Sequence, residues 1–180
     1  MKNKLLLLSV LFVISFVNRT YTQDWRPENR TGVSSETGLM ESWPEGGPEM
    51  LWSNLDLAKG HSSPSFGNNT IFITGLEDDM DILFALDMEG NILWKKPMGR
   101  AWNGSNPESR ATPTAENDRV YTCSGLGDLA CFNAISGDLI WSYEASETNK
   151  GTYGAWGIAE SLLLDGDKLY YSPGGPETMT

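Results

Sequence analysis

Five residues carry the side chains best suited to ligand binding: His61, Trp102, Asn103, Arg110 and Trp156. His61 and Arg110 each stand three residues before a proline, which places one cationic side chain at equivalent points of two similar segments. An aromatic and cationic rim of this kind can bind a planar anion, such as a quinone cofactor or an acidic sugar. The alternative is ordinary loop packing around a solvated charge, because single His and Arg residues are common.

The sequence offers no catalytic set and no metal site. No nucleophile stands beside a base, so no catalytic residue is predicted. The carboxylates of Glu77–Asp81 are of the type that hard cations prefer, but we predict an acidic turn that points into water. Cys123 and Cys131 flank a glycine-containing turn. A cross-strand disulfide and two buried thiols both remain open, because the register of the hairpin decides between them.

A repeat orders these side chains. Ile71-Phe72-Ile73, Val120-Tyr121-Thr122 and Leu169-Tyr170-Tyr171 begin at intervals of 49 residues, and the proline-centred Ser63-Pro64-Ser65 and Thr112-Pro113-Thr114 keep the same interval. A period of about 40–50 residues made of short β-rich runs is typical of propeller blades. We therefore predict an all-β fold, a β-propeller of four-stranded antiparallel blades. The ligand-binding candidates then fall in loops that lead into the innermost strands, where successive blades converge.

The strand pattern predicts two complete blades and a partial third. The predicted strands are 62–66, 70–75, 82–87 and 91–95 in the first blade, 111–115, 119–124, 129–133 and 138–143 in the second, and 159–164 and 168–172 in the third.

One further segment matches the end of a blade. Leu51-Trp52-Ser53 corresponds to Leu93-Trp94-Lys95 and Ile140-Trp141-Ser142. We predict that it is the outermost strand of a blade whose other three strands come from the C-terminal end of a closed ring. The chain supplies roughly three blades, fewer than the four to eight of known rings. We expect a fragment of a longer protein, and the alternative is several copies assembled into one ring.

Residues 1–22 are predicted to be a secretory signal peptide. Lys2 and Lys4 precede a mostly apolar stretch from Leu5 to Val17, which is too short for a comfortable membrane span. An uncleaved signal anchor is the alternative. Residues 23–48 are predicted to be an extended arm and residues 49–180 the propeller repeats. The expected location is periplasmic or extracellular, with no stable membrane span after cleavage.

The charge of the chain argues against nucleic acid as a partner. The chain has 24 acidic and 13 basic residues and a net charge of −11. Such a surface repels phosphates, whereas nucleic-acid binding needs a basic patch.

Two segments, Phe84–Trp94 and Ala130–Trp141, resemble the Ala-x-Asp-x-x-Thr-Gly-x-x-x-Trp motif of pyrroloquinoline-quinone-like (PQQ-like) propeller repeats. The first segment is one residue short before its glycine, and the second has Cys131, Asn133 and Ser136 where the motif has Ala, Asp and Thr. Residues 24–34 are also similar to the N-terminal segment of exported bacterial proteins with this repeat. The resemblance implies a ring of about seven or eight blades.

The recurring motif residues have a structural explanation. Gly90 and Gly137 permit left-handed turns between strands, and the tryptophans supply large flat surfaces between neighbouring blades. We therefore predict that Trp52, Trp94 and Trp141 dock blades and do not stack on a ligand.

Two function classes follow. The favoured one is a non-catalytic exported PQQ-like propeller that binds a protein, glycan or small-molecule ligand on its loop face. The alternative is an N-terminal fragment of a PQQ-dependent alcohol or sugar dehydrogenase. Enzymes of that class typically carry two adjacent cysteines against the cofactor, and this chain has no adjacent pair. No cofactor is predicted here, and PQQ and calcium would be bound only by a full-length enzyme.

Overall fold

A computed structural model describes residues 32–33 and 37–175. Its strands are β1 (Ser65–Gly67), β2 (Thr70–Glu77), β3 (Met80–Leu86), β4 (Ile92–Arg100), β5 (Thr114–Glu116), β6 (Arg119–Cys123), β7 (Asp128–Asn133), β8 (Leu139–Glu144), β9 (Leu163–Asp165) and β10 (Lys168–Tyr170), and a four-residue helix α1 (Ala145–Thr148) follows β8. The predicted signal peptide lies outside the described residues. The described parts of the predicted arm, 32–33 and 37–48, contain bends and turns without a helix or strand.

The strands form a row of antiparallel blades. β1 to β4 make one four-stranded sheet, β5 to β8 make a second, and β9 pairs with β10 as the beginning of a third. The fold is therefore the predicted all-β propeller architecture of two complete blades and part of another. Within the described residues, no helix is long and apolar enough to span a membrane.

Turn chemistry sets the repeat within each blade. The Asp87 carboxylate accepts hydrogen bonds from the backbone of Glu89 and Asn91, at 3.0 and 2.8 Å. In the same way, the Asn133 side-chain oxygen accepts hydrogen bonds from the backbone N–H groups of Ile135 and Ser136 in the β7–β8 turn. The glycine that closes each turn has a positive φ, 84° at Gly90 and 71° at Gly137. These are the left-handed conformations that glycine adopts without strain.

Apolar clusters fill the spaces beside and between the blades. The first two blades share one cluster, formed by Phe72, Leu83, Ala85, Met98, Ala115, Val120, Ala130, Phe132 and Ala134. A second cluster joins the second blade to Leu162 and Leu169 of the third. On the other face of the first blade, Ile71, Ile82, Phe84 and Leu86 are covered by Leu57 and Ala58 from the preceding segment. Each blade thus buries its apolar faces against what precedes and follows it.

Leu51-Trp52-Ser53 does not form a strand in the described chain, and its prediction as the outermost strand of a closed ring stays a prediction. The first described strand begins at Ser65, and among the described residues no strand lies beside 51–53 to pair with them. The Trp52 ring nevertheless packs on Gly90, where an added Cβ would lie 2.4 Å from the ring. Its indole N–H donates to the carbonyl of Met88 at 2.9 Å.

Trp94 repeats this arrangement one blade further on. It packs on Gly137, where an added Cβ would lie 2.7 Å from the indole, and its ring is tilted against Phe72 with centroids 5.9 Å apart. Trp141 is likewise tilted against Tyr121 with centroids 6.2 Å apart. Trp94 and Trp141 are half-buried, and Trp52 is more exposed at 42%.

A second repeated contact lies at the innermost strands. The backbone N–H of Ser63 donates to the Thr112 hydroxyl at 3.1 Å, and the backbone N–H of Thr112 donates to the Ser161 hydroxyl at 3.3 Å. Both bonds join residues 49 positions apart. β1 and β5 begin three residues later than predicted, and the backbone N–H groups of Ser63 and Thr112 bond to the next blade and not to the neighbouring strand.

Candidate functional site

All five ligand-binding candidates lie on one side of the blades, which we call the loop face. It comprises the segment 57–64 before β1, the β2–β3 turn at Asp78 and Asp79, the β6–β7 turn at 124–127, and the connections 101–113 and 145–162. Antiparallel strands alternate in direction, so the β4–β5 and β8–β9 connections emerge on the same side as these turns. The Trp-on-Gly contacts lie at the β3–β4 and β7–β8 turns on the opposite side.

Arg110 ties the loops together. Its guanidinium donates to the carbonyl of Trp156 at 2.5 Å, to the carbonyl of Ser105 at 3.2 Å and to the carbonyl of Asn106. The first bond joins the connection 101–113, which is the entry loop of the second blade, to the connection 145–162, which is the entry loop of the third. Because these carbonyls occupy both terminal nitrogens, the guanidinium acts here as a cross-link between loops.

Trp102 forms the floor of the same region. Its indole N–H donates to the Ser105 carbonyl at 3.2 Å, and its ring is tilted against Tyr153 with centroids 6.1 Å apart. Glycines on either side allow this close packing. A Cβ added at Gly157 would lie 2.7 Å from the indole, and one added at Gly125 would lie 2.6 Å from the Trp102 backbone nitrogen.

Trp156 extends outward from these loops. Its residue exposure is 63%, while Trp102 is half-buried. The structure therefore brings Trp102, Arg110 and Trp156 into one neighbourhood, with Trp156 as the aromatic side chain that a ligand can reach.

His61 and Asn103 have separate partners. The His61 imidazole lies against the Glu108 carboxylate, and its backbone N–H donates to the Ser109 carbonyl at 2.7 Å. The Asn103 amide donates to the Asp79 carboxylate at 3.1 Å. His61 thus adjoins the residues before Arg110, whereas Asn103 ties the second blade's entry loop to a turn of the first.

The reading of Glu77–Asp81 as a turn that points into water fails at its last residue. Asp81 is 1% exposed, and its Oδ2 accepts a 2.6 Å hydrogen bond from the Gly125 N–H. Burial raises the pKa of Asp81 to about 6, an effect that the Gly125 hydrogen bond opposes. The available signal was strand alternation, since Asp81 falls on the same face of β3 as Leu83 and Ala85.

Sequence reasoning also missed an ion pair at the junction of the first two blades. Asp128 accepts hydrogen bonds from the Arg100 backbone at 2.8 Å and from the Arg100 guanidinium at 2.9 and 2.7 Å. Arg100 also binds Glu147 at 3.0 Å, and these hydrogen-bonded carboxylates raise the pKa of Arg100. No sequence spacing indicates that these residues, on different blades, meet.

The cysteine alternatives are settled in favour of free thiols. Cys123 lies opposite Leu129 and Cys131 lies opposite Tyr121, so the two cysteines are offset along the hairpin. Both are buried and free. Burial raises the pKa of the Cys131 thiol to about 11 and raises the pKa of Cys123 further.

The comparisons with known proteins agree with this architecture. A family profile of PQQ-like repeats, described as outer membrane protein assembly factor BamB, matches residues 78–175, more than half of the chain. The chain belongs to this PQQ-like repeat family. The match begins at the β2–β3 turn of the first blade and ends after β10. Among curated proteins, no sequence matches the chain.

Solved structures similar to this member of the PQQ-like repeat family include two of different function. The quinohemoprotein alcohol dehydrogenase ADHIIG from Pseudomonas putida HK5 is 19% identical, with a TM-score of 0.46, over 64% of this chain and 17% of that chain. BamB from Moraxella catarrhalis is 20% identical, with a TM-score of 0.27, over 52% of this chain and 42% of that chain. The matched parts therefore span less than half of either structure.

Proposed function

We propose that this protein is an exported, non-catalytic PQQ-like propeller module that binds a partner protein through its loop face. The observation that carries the proposal is the position of Trp156, an exposed indole whose backbone is held in place by Arg110. An exposed aromatic side chain on an ordered loop is typical of the anchor residues that dominate protein interfaces. The family description as an assembly factor supports a protein partner over a glycan or a small molecule.

The loop face has the properties of a preformed surface. Ser105 donates from its hydroxyl to the Ala155 carbonyl at 2.7 Å, parallel to the Arg110 bond to Trp156. Two links therefore join the connections 101–113 and 145–162. Because the surface is already ordered, little conformational entropy is lost when a partner binds it, which favours binding.

Site-specific photocrosslinking tests the proposal. A photoreactive phenylalanine analogue would replace Trp156 in one variant and Ile135 in another, within the cell envelope of the native host. Ile135 is a matched control, because it is 70% exposed and lies on the opposite side of the blades. We expect a discrete protein adduct from position 156 and none from position 135. Equal adducts from both positions, or adducts from position 135 alone, would exclude the loop face as the binding surface.

A quinone-dependent dehydrogenase is the second candidate, from the sequence resemblance. The described residues do not fit PQQ, because Cys123 and Cys131 are free and offset on two strands, and the Arg110 guanidinium is bonded to backbone carbonyls. We expect no oxidation of ethanol or glucose by the purified chain supplied with PQQ, calcium and an artificial electron acceptor. Turnover that depends on PQQ would favour the dehydrogenase.

A further inference from the structure

Two aspartates, one on each of the first two blades, accept hydrogen bonds from the other blade across the junction. Asp81, on β3 of the first blade, accepts from the Gly125 N–H in the β6–β7 turn of the second. Asp128, on β7 of the second blade, accepts from Arg100 on β4 of the first. Both carboxylates lie at the loop-face end of the junction, so each blade contributes one acceptor to the other.

The two carboxylates are satisfied to different degrees. Asp128 accepts three hydrogen bonds from Arg100, two of them from the guanidinium, which compensates its charge. Asp81 accepts one bond at Oδ2, while its Oδ1 is buried without a hydrogen-bond partner. The Ser109 hydroxyl is buried beside Asp81 and, like the Gly125 N–H, lowers the Asp81 pKa, but it forms no hydrogen bond of normal geometry with Oδ1. An ionised carboxylate in this position is costly, because a buried charge needs more compensation than one amide and one poorly placed hydroxyl supply.

The charges facing Asp81 do not cancel this cost. Arg110 on the entry loop lowers the pKa of Asp81, but its guanidinium is bonded to three backbone carbonyls. Asp128 on β7 raises it. From β6, Cys123 also faces Asp81, and burial keeps its thiol neutral by raising its pKa. Arg100 on β4 is bonded to Asp128 and Glu147. Burial therefore dominates, and the pKa of Asp81 rises to about 6.

We propose that protonation of Asp81 controls the stability of the junction between the first two blades. The junction is more stable when the Asp81 carboxyl is neutral and less stable when it is ionised. A proton on Oδ1 removes the buried charge and provides a donor beside the Ser109 hydroxyl. The effect reaches the loop face through Gly125, whose carbonyl accepts the Ile158 N–H at 2.9 Å and whose Cα packs on Trp102. Asp81, Gly125 and Ile158 thus connect three consecutive blades.

The sign of the pH dependence follows from the direction of the shift. The pKa of Asp81 rises from 3.8 to about 6 on folding. Its contribution to stability is therefore fully present below pH 3.8 and is lost as the pH rises through about 6. Between pH 4.5 and 7.5 this single group raises the unfolding equilibrium constant about 25-fold.

Urea unfolding of the full chain and of Asp81→Asn at pH 4.5 and 7.5 tests the proposal. The wild-type unfolding constant should rise about 25-fold more between the two pH values than that of Asp81→Asn. Asp78→Asn is the matched control: it makes the same chemical change in the adjacent turn, at an exposed residue, and should retain the wild-type pH dependence. An identical pH dependence of unfolding in the wild type and in Asp81→Asn would overturn the proposal.

A second measurement does not depend on how the variant folds. The ¹³C resonance of the Asp81 carboxyl, followed by NMR in the wild-type chain, should titrate with a midpoint near 6. A midpoint near 4 would overturn the proposal even if Asp81→Asn fails to fold.

Discussion

At the scale of single residues, Arg110 shows how a binding candidate becomes a structural one. A cation beside aromatic residues on a loop suggests an anion site, but its guanidinium is bonded to the carbonyls of Ser105, Asn106 and Trp156. Backbone carbonyls leave no signature in a sequence, because every residue has one. Of Trp102, Arg110 and Trp156, only Trp156 is exposed, and Arg110 holds its backbone in place.

Gly137 is predicted to tolerate substitution less well than Gly166. Both have positive φ, 71° and 62°, but an added Cβ at Gly137 meets the Trp94 indole at 2.7 Å, whereas Gly166 has nothing within 4 Å. Gly166→Ala should cost about 1–2 kcal/mol for the left-handed conformation alone. Gly137→Ala should cost about 1–3 kcal/mol more, because the indole must move. Urea denaturation measures both, and equal losses would show that the indole adapts freely.

Residue patterns predicted the turns better than the partners across blades. The glycine and Asp or Asn positions of the motif correctly indicated the turns at Asp87–Gly90 and Asn133–Gly137, since these contacts are local. Asp81 was misplaced, because a cluster of carboxylates does not show which member faces inward. Arg100 and Asp128 were missed because their meeting depends on how two blades stack.

At the scale of elements, the most regular feature is a tryptophan of one blade seated on a glycine of the next. Trp94 sits on Gly137 as Trp52 sits on Gly90. The segment that carries Trp52 docks in this way without forming a strand, so the contact does not require a complete sheet behind it. Large flat side chains and bare glycine turns together explain why the motif recurs in the sequence.

Trp94→Ala should destabilise the protein far more than Trp156→Ala. Trp94 packs against the cluster shared by the first two blades, and its half-buried ring should be worth about 2–3 kcal/mol, below the loss at fully buried sites. Trp156 is 63% exposed, so its loss should change the free energy of unfolding by less than about 0.5 kcal/mol. The comparison uses denaturant midpoints. A large loss at Trp156 would mean that it is a packing residue and not a ligand anchor.

The strand boundaries show what periodicity can and cannot fix. The predicted strands of both complete blades overlap the observed ones throughout, because alternation and turn residues are encoded locally. β4 extends five residues beyond its predicted end, to Arg100, since Arg100 and Gly99 pair with the start of β3. The short helix α1 was not predicted, as four residues carry no periodic signal.

At the scale of the whole molecule, the reactivity of the two cysteine thiols shows whether the blades are folded. They are the only cysteines of the sequence, and both are buried with raised pKa values. Native protein at pH 8 should not react with a thiol reagent such as DTNB within minutes, because the thiols are neither accessible nor ionised. In denaturant, two thiols per chain should react at once. Reaction of fewer than two would indicate a disulfide and contradict the structure.

The paired fastening of adjacent blades has a mechanical consequence. The first junction is closed at the innermost strands by Ser63 and Thr112 and at the outermost strand by Trp94 on Gly137. Two sheets can rotate against each other when their junction is held along one edge only. This junction is held at both the innermost and the outermost strands. The first two blades should therefore resist rotation against each other, so that a load applied to one is transmitted to the next without a hinge to absorb it.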